Sequence, residues 1–166
     1  HSFSRRQRQM CIRDRYIYNG ISFQMFVQLL DGGIQPVRKT QGAAAYDLFA
    51  PEPLALQLGL NKVKLKIKIQ LPPNTFGSIR CRSSLAKDGI TVEAGVIDED
   101  YRGEVAVLLR SHDQICLYPK GHAIAQLIVQ PYLKPAVSVV DNLDETVRGV
   151  GGFGSTDRRV LAGVDQ

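Results

Sequence analysis

The chain has 166 residues, 44% hydrophobic and 22% charged, with 15 Gly and 8 Pro that follow no collagen-like period. That is enough apolar material for one core without a disulfide or metal staple, and it excludes disorder over most of the chain and a long helical bundle. The net charge of +5 sits at one end: residues 1–20 carry five arginines against one aspartate, and the other 146 residues hold 16 basic and 15 acidic side chains, so the body itself is close to neutral.

Residues 1–24 read as a basic extension, disordered or non-native to the chain, with a nucleic-acid or sorting arm as the functional alternative. They lack an apolar stretch followed by small residues, so no secretory signal is expected. Met25 opens a plausible first strand, Met-Phe-Val-Gln-Leu-Leu, and a turn follows at Asp31-Gly32-Gly33. In 43–48, Asp47 is a polar residue inside apolar strand sequence and needs a partner. Leu54, Leu56, Leu58 and Leu60 alternate, and then the phase slips. From there Val63, Leu65, Ile67, Ile69 and Leu71 alternate with Lys62, Lys64, Lys66, Lys68 and Gln70, the period of a half-buried strand. The slip predicts a turn or bulge at Asn61-Lys62.

Pro72-Pro73-Asn74 leads into a strand at 75–82, and only 83–87 looks helical. Arg82, Ser83 and Ser84 at that helix start suit either an anion or a plain cap. Strands are expected at 90–97, 104–110, 114–118, 123–130 and 136–140, with a turn at Tyr118-Pro119-Lys120-Gly121. Evenly spaced strands with almost no helix predict a β-sandwich or barrel. Gln126, like Asp47, is polar within an apolar strand, and His122 reads as a turn residue. Cys11, Cys81 and Cys116 are an odd number with no CxxC pair, which fits a reducing compartment, cytoplasmic by expectation. Three scattered histidines give no zinc cluster, and no apolar run is long enough for a transmembrane helix.

Two segments exceed what a core requires. Gly95-Val-Ile-Asp98-Glu-Asp100-Tyr101-Arg102-Gly103 reads as a hairpin crown, by itself a solvated turn first, and alternatively one carboxylate next to an aromatic wall as a general base. Arg148-Gly-Val-Gly-Gly-Phe153-Gly154-Ser155-Thr156 is too close to the end for a dinucleotide fold and lacks the Lys of a Walker loop. Glycine-freed N–H groups with an arginine can wrap phosphate oxygens there.

Taken in order, the segments around Asp47, Arg82, Asp98, Gln126 and Arg148 resemble the five motifs of the trimeric dUTPase family, the deoxyuridine triphosphate nucleotidohydrolases. The resemblance runs from about Met25 to Thr156. It implies an all-β jelly roll spanning 25–140 and a C-terminal arm, 141–166, exchanged onto a neighbouring subunit of a homotrimer with shared active sites. It implies Mg²⁺-dependent hydrolysis of dUTP to dUMP and pyrophosphate, which keeps uracil out of DNA and supplies dUMP for dTMP synthesis. Asp98 would activate the attacking water, and Tyr101 would pack under the deoxyribose and exclude a 2′-hydroxyl. The backbone of Gly95, Val96 and Ile97 would pair with uracil. Arg82, Ser83 and Ser84 would hold the phosphates, with Gln126 near the α-phosphate. Arg148 would clamp the γ-phosphate, Phe153 would close over the base, and Gly154, Ser155 and Thr156 would wrap the triphosphate. Asp47 would act on the metal through water, the phosphates being the direct ligands. No membrane partner is implied, and nucleic acid only through the arm 1–24.

The chain departs from the family at Ala45, where Gly is usual, and at Cys81 and Ser84, where Pro and Gly often stand. It also has His122-Ala123 in place of Asp-Arg, which loses a salt bridge. The rival enzyme of this fold, dCTP deaminase, often shares Arg-Ser-Ser-Leu, but its catalytic glutamate falls at Leu108 here. A non-enzymatic binding or signalling protein of the same fold is the other alternative.

Overall fold

In a computed structural model, the residues described are 16–18 and 21–152. They form thirteen strands and one short helix, and every strand ladder is antiparallel. β1 (Tyr16–Tyr18) pairs with β2 (Ile21–Phe23). The following strands are β3 (Phe26–Leu29), β4 (Tyr46–Phe49), β5 (Leu54–Leu56), β6 (Gly59–Lys64), β7 (Ile67–Gln70) and β8 (Thr75–Arg80). Helix α1 (Ser83–Lys87) precedes β9 (Ile90–Ala94), β10 (Val96–Ile97), β11 (Ala106–Ser111), β12 (Cys116–Tyr118) and β13 (Ala123–Pro131). The largest sheet runs β10-β8-β13-β4, a second runs β6-β11-β9, and β12-β5 and β3-β7 are two-stranded. The fold is all-β, as the strand spacing predicts, and jelly-roll-like, as the family resemblance implies.

One apolar cluster joins these sheets. Leu48, Leu56, Leu65, Ile67, Leu85, Ile90, Leu109, Ile124 and Leu127 are all within 1% of complete burial. The alternating positions Val63, Leu65, Ile67, Ile69 and Leu71 all point into it. The segment is nevertheless two strands and not one, because Lys66 takes a positive φ of 55° and sends β6 to β11 but β7 to β3. Two of the lysines are paired, Lys64 with Glu104 at 3.3 Å and Lys66 with Glu52 at 3.1 Å.

The turn before β6 falls earlier than the slip at Asn61-Lys62 predicts. Gly59 turns the chain at φ 85°, and Asn61 pins it by accepting from Gln57 N and donating to the carbonyls of Gln57 and Gly59. Leu58 and Leu60 consequently stay more than half exposed. The strand expected at 136–140 does not form.

The chain divides into two compact units, His1–Leu133 and Lys134–Gln166. In the second, the described residues hold a local turn: Gly149 N donates to Thr146 O and Gly151 N to Arg148 O, each at 3.1 Å.

Candidate active site

The crown at 95–103 is built from glycines that allow close approach. A Cβ at Gly95 would lie 2.5 Å from Ile79 Cβ, so only glycine lets the backbone press onto β8. There Ile79 N donates to Gly95 O at 2.6 Å, and Val96 and Ile97 register with Ser78 and Gly77. The chain then turns, with Tyr101 N donating to Asp98 O at 3.1 Å. The Tyr101 ring lies over Gly103, where a Cβ would come within 2.6 Å of Cζ, and its hydroxyl donates to Glu104 O at 3.0 Å. Gly95, Val96, Ile97, Asp98 and Tyr101 thereby line one pocket of about 790 Å³. Asp98 is exposed, and its carboxylate has no hydrogen-bond or ion-pair partner among the described residues.

β6 and β11 also line this pocket, with Lys62, Lys64, Ala106 and Leu108. Sequence reasoning treats these lysines as a solvated strand face. Nothing local marks them as pocket residues, since the pairing of β6 with β11 is what brings them there.

A second cluster forms where β4, β13 and β8 meet. Gln126 stands opposite both Asp47 and Arg80 in register. Asp47, 8% exposed, accepts from Arg82 through both carboxylate oxygens, Nε–Oδ1 at 3.0 Å and Nη2–Oδ2 at 3.4 Å, with Lys39 at 3.8 Å. Arg82 Nη1 donates to Ala123 O at 3.2 Å, and Gln126 Nε2 donates to Cys81 O at 2.9 Å. Both polar strand residues thus have the partners that burial demands. These contacts engage three of the five Arg82 N–H groups. Residue 123 contributes through its carbonyl, so the exchange of Arg for Ala there leaves this contact available. Ser83 and Ser84 open α1 from the solvent side, and buried Leu85 anchors it. His122 occupies a turn and stacks on Tyr118 at 4.6 Å. Burial pushes the Cys81 thiol up, and it donates to Ile90 O at 3.1 Å.

The two clusters are not brought together within one chain. Asp98 follows Ile97, which faces Gly77 near the start of β8, and Arg82 follows the end of that strand. At the rise of an extended chain the two lie about 20 Å apart. Arg148 belongs to the second unit, where its Nε donates to Gly151 O at 2.9 Å. Phe153, Gly154, Ser155 and Thr156 lie outside the described residues. Among the described residues, no three His, Cys, Asp or Glu side chains converge as a metal site.

An antiparallel jelly-roll-like sheet with a hairpin-walled pocket and a free carboxylate on its rim defines the class of fold. The dUTPase family model matches residues 32–157. The deoxyuridine 5'-triphosphate nucleotidohydrolase of Paramecium bursaria Chlorella virus 1 is 44% identical over 132 residues, 78% of this chain and 94% of that one. The enzyme of the same name from Solanum lycopersicum is 45% identical over 139 residues, 82% of each. Among solved structures, EIAV dUTPase matches with a TM-score of 0.64 at 28% identity, covering 74% of this chain and 100% of that one. Staphylococcus bacteriophage 80alpha dUTPase with dUPNHPP shares the fold, with a TM-score of 0.72 at 24% identity over 81% and 99%. The chain belongs to the dUTPase family.

Proposed function

We infer that the protein hydrolyses dUTP to dUMP and pyrophosphate by attack of water on the α-phosphorus. The carrying observation, in a chain of this family, is the unpartnered Asp98 carboxylate on the rim of a pocket walled by the backbone of Gly95, Val96 and Ile97. Asp98 takes a proton as the water oxygen bonds to phosphorus, and the α–β bridging oxygen leaves with pyrophosphate. The uracil edge presents acceptor, donor and acceptor, which extended backbone can match. Cytosine puts an amino group where one acceptor should be and leaves a buried peptide group unpaired. The Tyr101 ring, fixed by its bond to Glu104 O, sits under the sugar and leaves no room for a 2′-hydroxyl.

Positioning and charge neutralisation dominate the rest of the barrier. The two remaining Arg82 N–H groups, Ser83, Ser84 and the amide of Gln126 suit the phosphate chain. Arg148 suits the γ-phosphate, with Phe153, Gly154, Ser155 and Thr156 closing over the ligand. Mg²⁺ fits as an ion carried by the substrate, because it favours phosphate oxygens and waters. Asp47, already committed to Arg82, would meet it through water. When bound, the ion offsets the negative charge of the phosphates.

The separation of Asp98 from Arg82 along β8 supports a site completed between subunits, as in a homotrimer with its C-terminal arms exchanged. Leu108 lines the pocket at the position where the deaminase of this fold carries its glutamate, and an alkyl side chain moves no proton. This favours hydrolysis over deamination. Among the described residues no helix is long and apolar enough to cross a membrane. The free thiols of Cys81 and Cys116 support a reducing compartment such as the cytoplasm.

Pyrophosphate release with Mg²⁺ from dUTP, UTP, dCTP and dTTP tests the reading on wild type and Asp98→Asn together. Release from dUTP alone is expected, falling by about 10²–10⁴-fold in the variant. A folded wild type silent on dUTP, or one that frees ammonia from dCTP, overturns it.

A further inference from the structure

The crown at 98–103 holds three consecutive acids, and only the first is used by the proposed chemistry. Asp98 and Tyr101 line the pocket, whereas Glu99, between them, does not. Its Oε2 accepts two hydrogen bonds instead, from Asn74 N at 3.1 Å and from the Tyr132 hydroxyl at 3.2 Å. Asn74 is the residue that turns the chain into β8 with a positive φ of 58°, and its own carbonyl accepts from Tyr132 N at 3.2 Å. Tyr132 follows directly on β13 and packs edge-on against Phe76 at 6.1 Å between centroids. The three residues close a ring of hydrogen bonds around one carboxylate oxygen. On the other side of Glu99, its carbonyl accepts from Arg102 Nη1 at 2.8 Å.

The hairpin backbone at Val96 and Ile97 is held by the ladder to β8, but Asp98 lies beyond the last ladder pair. Beyond it the crown is held by the turn bond to Tyr101, by Arg102 Nη1 on the carbonyls of Glu99 and Tyr101, and by the ring at Glu99, the one of these that ties it to β8 and β13.

We propose that Glu99 is a positioning residue that fixes the Asp98 carboxylate by tying the crown to Asn74 and Tyr132. The proposal rests on the dUTP hydrolase reading, and it separates two tasks along four residues. The β8 ladder positions the base-binding backbone, and the Glu99 ring positions the carboxylate next to it. A loosened ring then costs turnover and leaves substrate affinity nearly unchanged.

Steady-state kinetics on dUTP with Glu99→Ala, Glu99→Gln and Tyr132→Phe test this, with thermal unfolding recorded on each. Glu99→Ala is expected to lower kcat about tenfold or more, because misplacement of a reacting group by an ångström is that costly. KM should stay within about twofold, the ladder being untouched. Glu99→Gln, whose carbonyl oxygen accepts both bonds, should recover most of the turnover. Tyr132→Phe should lower kcat by less than Glu99→Ala, and the double variant Glu99→Ala with Tyr132→Phe should be no worse than Glu99→Ala alone. A folded Glu99→Ala with wild-type kcat and only a lower Tm overturns the proposal, as does failure of Glu99→Gln to recover turnover. If Glu99→Ala does not fold, the same kcat-without-KM loss in Tyr132→Phe decides it, and its absence overturns the proposal. An inactive wild type is a different result, since it overturns the hydrolase reading itself.

Discussion

Gln126 and Cys81 are joined by one hydrogen bond, from the amide to the carbonyl across neighbouring strands at 2.9 Å. Gln126→Ala leaves a half-buried carbonyl without its donor, at a cost of about 1–2 kcal/mol. This should appear as a lower urea midpoint with an unchanged m-value. The Cys81 thiol donates to Ile90 O, and burial raises its pKa, so the neutral thiol persists to higher pH than in a free peptide. Alkylation of Cys81, followed by peptide mass spectrometry, should therefore lag behind a peptide thiol below about pH 8.5 and approach it only at higher pH. An equal rate across that range would mean an unburied thiol. That Asp47 and Gln126 need partners is legible in the sequence, since each is polar inside an apolar run. The identity of the partner is not legible, because Arg82 reaches Asp47 across 35 residues of chain.

Strands 59–64 and 67–70 show how far a period can be trusted. Alternation correctly names the inward face at every position from Val63 to Leu71. The break at Lys66 leaves that alternation intact, so the sequence reads as one strand where two sheets share the segment. At Val137 and Val139 the opposite occurs: alternation is present, no ladder forms and both stay more than nine-tenths exposed. A strand is a pairing, and period alone does not supply the partner. The crown is the better-signalled element, since its glycines mark close approach. Gly95→Ala drives a methyl group into Ile79 and should cost about 1–3 kcal/mol, together with a raised KM for dUTP. Gly42→Ala, with nothing within 4 Å of the new carbon, should change neither stability nor kinetics.

At the level of the whole molecule, a composite site makes a specific prediction about mixtures. Asp98→Asn and Arg82→Gln should each be nearly inactive alone. If, as proposed, a site takes Asp98 from one chain and Arg82 from another, the two unfolded together and refolded as mixed oligomers should regain about a quarter of the wild-type activity. A mixture no more active than its components would place both groups in one chain's site. The family resemblance implies shared sites, but which chain would supply Arg82 and which Asp98 is not legible in segments only sixteen residues apart. The proposed division rests on β8, which separates the two segments by its full extent.

The length of β8 is therefore a chemical quantity as well as a packing one. Two residues added to this strand would keep every side chain on its proper face and leave the alternation of the core undisturbed. They would nonetheless slide one half of the site about 7 Å from its counterpart. On the proposed composite site the strand acts as a ruler: its six residues would set the span that adjoining chains bridge, and an insertion harmless to folding would leave a stable protein whose parts no longer meet.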